Sequence, residues 1–348
     1  MRGCTVQAES ELVRAAQTGD HAAFTQLASP HYDGIRVHCY RMLGSFHDAE
    51  DAVQESLVKA WRKIGQFEGR SLFGTWLHSI ATTTCLNLIR RRPRVVVPSD
   101  FTDGPRPPAA DVPWLEPYPD IHLPAPSGEQ PDARIEAKEA TRLAFVATMQ
   151  LLPARQRAVL LLRDVLMFTS GEVAEVLDTT TAAVNSALQR ARARLAEHRT
   201  WEDTTAEVEA TVDEFVRLWE ACDIDGLVGL LTDDAHLAMP PIPAWFLGPQ
   251  EIGRFLATGP ADGRLELIRL VPTRANGQPA VAAYLPSTDG GHYGYGVMVF
   301  DSAPDGRIAA ITGFNDGRLM SAFALPQYLG DPGGGVGQPS GSTPGRHR

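Results

Sequence analysis

Eleven of the chain's 26 prolines fall between residues 93 and 131. Each proline ring fixes φ and removes a backbone donor, so neither a helix nor a central strand can run through such a stretch. Proline at this density favours extended, semi-rigid chain. The stretch also lacks hydrophobic periodicity and reads as a linker, bounded at 96–131. It divides what precedes it, a helical block over 9–95, from a second helical block over 132–200.

In the first block the run DAEDAVQESLVKAWRKI (48–64) sets Val53, Leu57, Ala60, Trp61 and Ile64 at helical spacing, a stripe for burial. Asp48, Glu50, Asp51, Gln54, Glu55 and Lys59 fall mostly elsewhere. A glycine-containing break at 65–74 leads to a helix over about 75–92, which ends in Arg90, Arg91 and Arg92 and is stopped by Pro93.

Residues 205–329 change character. The helix VEATVDEFVRLWEACD is followed by strand-like runs HLAM, RLELIRLVPT, PAVAAYL, YGYGVMVFD and RIAAITGF. Asn276-Gly277 and Asp305-Gly306 are hairpin-type turns. Helices first and a mostly antiparallel sheet after make an α+β domain. The glycine-rich tail 330–348 is expected to be disordered. The fold class is therefore multi-domain: two all-α units and one α+β unit.

Charge is segregated along the chain. Against a formal net charge of −10, residues 9–95 carry +2, 96–139 carry −6, 140–199 carry +3 and 200–348 carry −10. That balance argues against indiscriminate nucleic-acid binding and leaves room for a directed contact by one block. Four scattered cysteines form no CxxC, so reduced thiols in a cytoplasmic protein are expected, with no metal and no cofactor. No apolar run is long enough to span a bilayer.

The second block holds the most specific local signal. Thr169, with Glu172 three places on, has the capping-box arrangement at the head of TSGEVAEVLD. A DTT turn joins it to TTTAAVNSALQRARARL. There Val184, Leu188, Ala191 and Leu195 share one helical face, and Ala182, Asn185, Ser186, Gln189 and Arg190 point largely outward. Two short helices around a small-residue turn, with a polar outer face, are a helix-turn-helix layout. Asn, Gln and Arg can pair with base edges in the major groove. Arg190 and Arg192, with Arg155 and Arg157 upstream, can meet phosphates. The start after Thr169 and Ser170 offers free N–H groups to one more.

The segment LPARQRAVLLLRDVLMFTSGEVAEVLDTTTAAVNSALQRARARL resembles region 4 of the sigma-70 transcription factors, in their extracytoplasmic-function (ECF) group. DAEDAVQESLVKAWRKIGQFEGRSLFGTWLHSIATTTCLNLIRRR resembles region 2 of that group. The stretches MPPIPAWFLG, LVPTRANGQPAVAAY and GRIAAITGFND resemble the SnoaL-like domain fused to some of these factors, a curved sheet and helices around a cone-shaped pocket.

The resemblance implies a factor that docks on core RNA polymerase, reads two promoter elements and opens DNA. Asp48, Asp51, Gln54 and Glu55 would grip the polymerase clamp helices. FEGRSLFGTWL (67–77) would be the loop that captures a flipped −10 base. There Phe67, Phe73 and Trp76 would offer stacking surface, Gly69 and Gly74 tight turns, and Glu68, Arg70 and Ser71 polar contacts. Phe73 and Trp76 also read as core. His78, Ser79 and Thr82 would follow the single strand, and Arg90, Arg91 and Arg92 its phosphates. The helix with Asn185 would enter the −35 groove. Where relatives often carry Lys-Ser-Arg, this chain has Asn185-Ser186-Ala187. The two elements lie about 17 base pairs apart in relatives, roughly 60 Å of duplex at about 3.4 Å per step. The acidic linker would suit the basic RNA channel of polymerase.

For the C-terminal domain the sequence leaves three readings: a regulator packing on the sigma blocks or linker, a ligand sensor, or an isomerase- or cyclase-like enzyme. By residue type, His236, Tyr284, Tyr293, Tyr295 and Asp316 are candidate polar groups of the pocket. Met239, Trp245, Phe246, Met298 and Phe314 are its candidate apolar lining. No acid and base stand at diagnostic spacing, and no catalytic residue is assigned. The competing class for the whole chain is a helix-turn-helix regulator with a ligand-sensing or catalytic C-terminal domain.

Overall fold

A computed structural model describes residues 2–91, 115–124, 141–197, 207–240 and 242–330. The first block is a helical bundle of α1 (Arg2–Gln17), α2 (His21–Ala28), α3 (Tyr32–Leu43), α4 (Phe46–Lys63) and α5 (Phe73–Arg91). Local chemistry sets its boundaries. Asp20 caps α2 by accepting from the Ala22 and Ala23 amides, and Ser45 caps α4 by accepting from Asp48. Between α3 and α4, Gly44 adopts φ 76 and ends α3 in the left-handed conformation. A Cβ there would meet the Gln150 side chain at 2.9 Å, so glycine is required twice over.

The second block comprises α6 (Leu143–Gln150), α7 (Ala154–Leu160) continuing into a π turn (Leu161–Val165), α8 (Ser170–Val176) and α9 (Thr181–Glu197). The C-terminal domain adds α10 (Glu207–Glu220), α11 (Ile224–Gly229), β1 (Leu231–Met239), β2 (Ile242–Leu247), α12 (Pro249–Thr258), β3 (Arg269–Ala275), β4 (Gln278–Pro286), β5 (His292–Ser302), β6 (Ile308–Phe314), α13 (Leu319–Ala322) and β7 (Tyr328–Leu329). The sheet runs β2-β1-β6-β5-β4-β3, with β7 on β5. Its pairs are antiparallel except β1 with β6. Two details depart from the sequence reading. Residues 264–268 form 3-10 turns instead of extending β3, and β2 pairs along β1 where no strand was expected.

The sheet is buried on both faces. On β4, Val281 and Ala283 join Phe215, Trp219, Ile252 and Phe300 in the domain's own core. The alternate residues Ala280, Ala282 and Tyr284 join one continuous cluster with Tyr40, Phe46, Tyr118 and Val146. A strand two-sided in this way reads as an unbroken apolar run, as PAVAAYL does.

Residues 115–124 of the proline-rich segment are a packed element between the bundle and the sheet, not a bare tether. Leu115 and Tyr118 are buried. The Glu116 amide donates to the Gly44 carbonyl at 2.9 Å, and Arg36 Nε donates to the Tyr118 hydroxyl at 3.0 Å. The centre of the junction is Asn276, fully buried in the β3–β4 turn. Its Nδ2 donates to the Tyr40 hydroxyl and to the Thr141 carbonyl, both at 2.8 Å. Its Oδ1 accepts from the Tyr118 amide at 2.8 Å. The left-handed Asn276 (φ 58) and Gly277 (φ 72) that make the hairpin turn also aim this amide outward from the sheet. Asp120 accepts from the Gly277 amide at 2.7 Å and pairs with Arg274 at 3.2 Å.

The two helical blocks also touch directly. Arg157 is 6% exposed. It donates to the Gln150 carbonyl at 3.0 Å, the Leu152 carbonyl at 3.2 Å and the Met42 carbonyl of α3. Burial pulls its guanidinium down to about 10, with Cys85 nearby acting in the opposite sense. The expected phosphate contact at Arg157 is therefore corrected: the side chain is spent on carbonyls between blocks.

Removing the Asn276 amide takes the partner from the buried Tyr118 amide and one bond from the Thr141 carbonyl, at roughly 1–3 kcal/mol for each unsatisfied group, while the Tyr40 hydroxyl keeps its bond to the Glu116 carbonyl at 2.8 Å. Asn276→Ala is expected to destabilise the chain by about 2–4 kcal/mol in chemical denaturation. Amide exchange at 115–124 should rise with it. A second effect depends on pH. The Glu116 carboxylate accepts from Ser45 Oγ at 2.9 Å and from His47 Nδ1 at 3.0 Å. The hydrogen bond to Glu116 raises His47 against partial burial. Burial alone would raise Glu116, but the His47 hydrogen bonds hold it below its ordinary value. The His47 contribution is complete below its ordinary value and is lost as pH rises through the raised one. The Glu116 contribution is complete above the ordinary carboxylate value and is lost as pH falls through the lowered one. Protease nicking within 115–124 should therefore increase between about pH 6 and pH 8, and His47→Gln should flatten that dependence.

Candidate nucleic-acid interface

The capping box at α8 is formed. Thr169 Oγ1 accepts from the Glu172 amide at 3.2 Å, and Glu172 accepts from the Thr169 amide at 2.7 Å. Val173, Ala174 and Leu177 bury one side of α8. Asp178 turns the chain at φ 48, and α9 then buries Val184, Leu188 and Ala191. The opposite face of α9 is open: Ala182, Asn185, Ser186, Gln189, Arg190 and Arg194 are exposed. Ser170 Oγ donates to Asn185 Oδ1 at 2.8 Å, which ties the two helices across the turn. Arg190 Nη1 donates to Ser186 Oγ at 2.6 Å. Arg192 is exposed but forms a bidentate pair with Asp164 at 2.7 and 2.8 Å. Arg155, also exposed, donates to the Leu177 carbonyl at 2.8 Å and braces the turn.

In the first block, Asp51 and Gln54 are exposed on α4, and Asp48 and Glu55 are half-buried. Glu55 pairs with Lys59 at 2.7 Å. Beyond α4, Phe67 is 8% exposed, packed 5.8 Å from the Phe73 ring and 5.1 Å from the Trp76 ring. That corrects the stacking role expected of Phe67: its ring is core, as is that of the fully buried Phe73. The segment instead exposes Glu68, Gly69, Arg70 and Leu72, with Ser71 half-buried, Gly69 at φ 70 and Glu68 paired to Arg70 at 2.9 Å. Thr82 is also corrected. It is fully buried, donates to the His78 carbonyl at 2.8 Å and receives His38 Nε2 at 2.8 Å. His78, half-buried, donates from Nδ1 to the Gly74 carbonyl at 2.8 Å. Ser79, half-buried, donates to the Trp76 carbonyl at 2.6 Å. Arg90 and Arg91 are exposed at the end of α5; Arg92 lies outside the described residues.

The C-terminal domain encloses a cavity of about 300 Å³ between the sheet and α10 and α12. Phe215, Trp219, Phe255, Met239, Met298 and Tyr295 are on its wall. Of the expected lining, Met239, Met298 and Tyr295 are there. Tyr284 and Phe314 are corrected: both face the other side of the sheet, where the Tyr284 hydroxyl donates to the Pro326 carbonyl at 2.9 Å. His236 is not on the wall, and burial lowers it despite Asp301 and Asp234. Phe246 stacks on Phe255 at 4.3 Å behind the wall. The Trp245 side chain lies outside the described residues.

Three family matches cover these units: Sigma-70 region 2 over residues 27–95, Sigma-70 region 4 over 142–195 and a SnoaL-like domain over 212–311. The chain is 40% identical over 328 residues to the ECF RNA polymerase sigma factor SigG of Mycobacterium tuberculosis, covering 89% of this chain and 85% of that one. The chain is an ECF sigma factor of the sigma-70 family. It is also 28% identical to SigW of Bacillus subtilis over 53% of this chain and 92% of the relative. In fold it resembles the crystal structure of the M. tuberculosis ECF sigma factor SigJ, with a TM-score of 0.57 at 21% identity, covering 85% of this chain and 98% of that one.

Sequence reasoning missed the residues that assemble this sigma factor: Arg36, Tyr40, Tyr118 and Asn276. Two signals pointed to the junction. One is the apolar and aromatic group Trp114, Leu115 and Tyr118 inside an otherwise polar linker, and the other is the unbroken apolar run of β4. No comparable signal marks Asn276, whose Asn-Gly pair is fully explained by the hairpin turn.

The exposed face of α9 carries two kinds of side chain, amides and a guanidinium, with different expected effects. Asn185→Ala and Gln189→Ala are each expected to lower discrimination at one base position by about 1–3 kcal/mol. Arg190→Ala should weaken promoter binding evenly across sequences and reduce the salt slope by about one. Both are read from holoenzyme binding to −35 variants across a salt series.

Proposed function

We propose that this sigma factor binds core RNA polymerase through the α4 face around Asp51 and Gln54. It reads the −35 element with α9, and it engages the −10 element through the 68–72 loop and α5. The observation that carries this is the open outer face of α9, with Asn185, Ser186, Gln189 and Arg190 exposed on a helix whose apolar side is buried. A helix-turn-helix serving only as packing would have that face covered.

The free chain is a closed form. Region 2 and region 4 meet at Arg157, and both are tied to the SnoaL-like domain through Tyr40, Thr141 and Asn276. Two promoter elements roughly 60 Å apart demand separated modules. Promoter engagement therefore requires the junction to open, and the SnoaL-like domain sets how readily it does. The acidic segment around Glu116 leaves this junction before it follows the polymerase. The cavity gives a small molecule a place to act on the same domain. Among the described residues Tyr295 is the one ionisable side chain on the wall, and burial raises it, so no acid–base step is assigned there.

Run-off transcription with purified core polymerase tests the reading. The chain should support promoter-specific transcript where core alone does not, and Asn276→Ala should raise output at least threefold by loosening the junction. Transcript independent of this chain would contradict the sigma role. Unchanged output from Asn276→Ala would contradict the gating role.

A further inference from the structure

We infer that Ser170 is a positioning residue for Asn185, and that Asn185 held in this way selects a keto base, guanine or thymine, in the −35 element. The inference rests on the proposed reading of that element by α9 and deepens it by naming the base chemistry that one side chain takes.

Asn185 and Gln189 carry the same terminal amide one turn apart on the outer face of α9, and both are exposed. Their surroundings differ. Asn185 Oδ1 accepts from the Ser170 hydroxyl at 2.8 Å. The Gln189 amide has no hydrogen-bond partner among the described residues. Ser170 is itself anchored. It is the half-buried first residue of α8, next to the Thr169 cap, whose amide and hydroxyl both donate to Glu172 at 2.7 Å. Asp178 at φ 48 turns the chain between the two helices, and Val173, Leu177, Val184 and Leu188 are buried in one core cluster. The apolar faces already hold the helices together, so an exposed hydroxyl–amide bond matters more for side-chain direction than for packing. Asparagine has a short stem with few rotatable bonds, and one hydrogen bond is enough to set the direction of its amide.

That direction decides which base the amide can read. A free asparagine pairs with adenine by turning its oxygen to the N6 amino group and its nitrogen to N7 together. With Oδ1 turned to Ser170 of α8, the group left to reach a base is Nδ2, which only donates and has no partner among the described residues. Guanine presents two acceptors in the major groove, O6 and N7, and thymine presents O4. Adenine and cytosine each present an amino donor there, which would face another donor and stay unpaired. Gln189 has nothing holding its amide and keeps the adenine pairing open.

The test selects bound sequences from a pool of promoter duplexes randomised through the −35 element, with holoenzyme made from the full-length chain and core polymerase. Asn185→Ala locates the base pair that Asn185 reads, as the position where preference collapses. There wild-type holoenzyme should favour G·C and T·A, with the keto base on one and the same strand, over A·T by about threefold or more. Ser170→Ala releases the amide to pair with adenine on that strand, so the preferred orientation of the A·T pair should invert. Ser170→Thr, which keeps the hydroxyl, should keep the wild-type orientation. Ser170→Gly is the second variant should Ser170→Ala not fold. The same orientation in wild type and Ser170→Ala, or a preference that is only flattened, the mark of a merely structural role, would overturn the inference. Gln189→Ala separates it from the reading it rests on. An effect of Gln189→Ala with none from Asn185→Ala fails the inference alone, and no effect from either fails the reading of the −35 element by α9 as well.

Discussion

One side-chain amide coordinates four parts of this molecule. Asn276 belongs to the SnoaL-like sheet, yet its hydrogen bonds end on region 2 at Tyr40, on the linker at Tyr118 and on the start of region 4 at Thr141. A buried amide with both ends satisfied is demanding in geometry, because any displacement leaves a polar group without water or partner. Region 2, region 4 and the sheet can therefore share this junction in one arrangement only. Arg157, Asp120 and Glu116 reinforce that arrangement from three sides.

The sheet explains how the junction reaches both helical modules. A sheet with one wet face would seal its own core and leave the sigma modules free. Here β4 buries Val281 and Ala283 toward the cavity side and Ala280, Ala282 and Tyr284 toward the helical modules. The same strands thus wall a cavity and pack against the helical modules. The polar face of α9 is outside this contact and stays exposed while the two helical modules are held together.

Much of this was legible in the sequence where a local rule was enough. The capping box at Thr169, the apolar stripe of α9, the amphipathic α4 and five of the strands follow from period and cap chemistry that act within a few residues. What was not legible depends on partners distant in the chain. Phe67 looks like a stacking platform until Phe73 and Trp76 enclose it, and Thr82 looks like a polar surface residue until His38 meets it. Arg157 looks like a phosphate contact until the Met42 carbonyl is placed against it. The linker misled most. Its prolines disfavour long helices and strands, but they do not forbid docking, and proline's small backbone entropy makes an extended docked segment cheap to order. Polar residues and prolines hide such a segment unless an apolar pair such as Leu115 and Tyr118 is weighed on its own.

The most direct test of the account is the distance between region 2 and region 4 in solution. Spin labels at the exposed positions Gln26 and Ala196, outside the proposed polymerase and DNA contacts, would report it by pulsed dipolar spectroscopy. The free chain should give one narrow distance, replaced by a longer one when core polymerase and promoter DNA are added. A broad distribution in the free chain, or the same distance with and without polymerase, would contradict it.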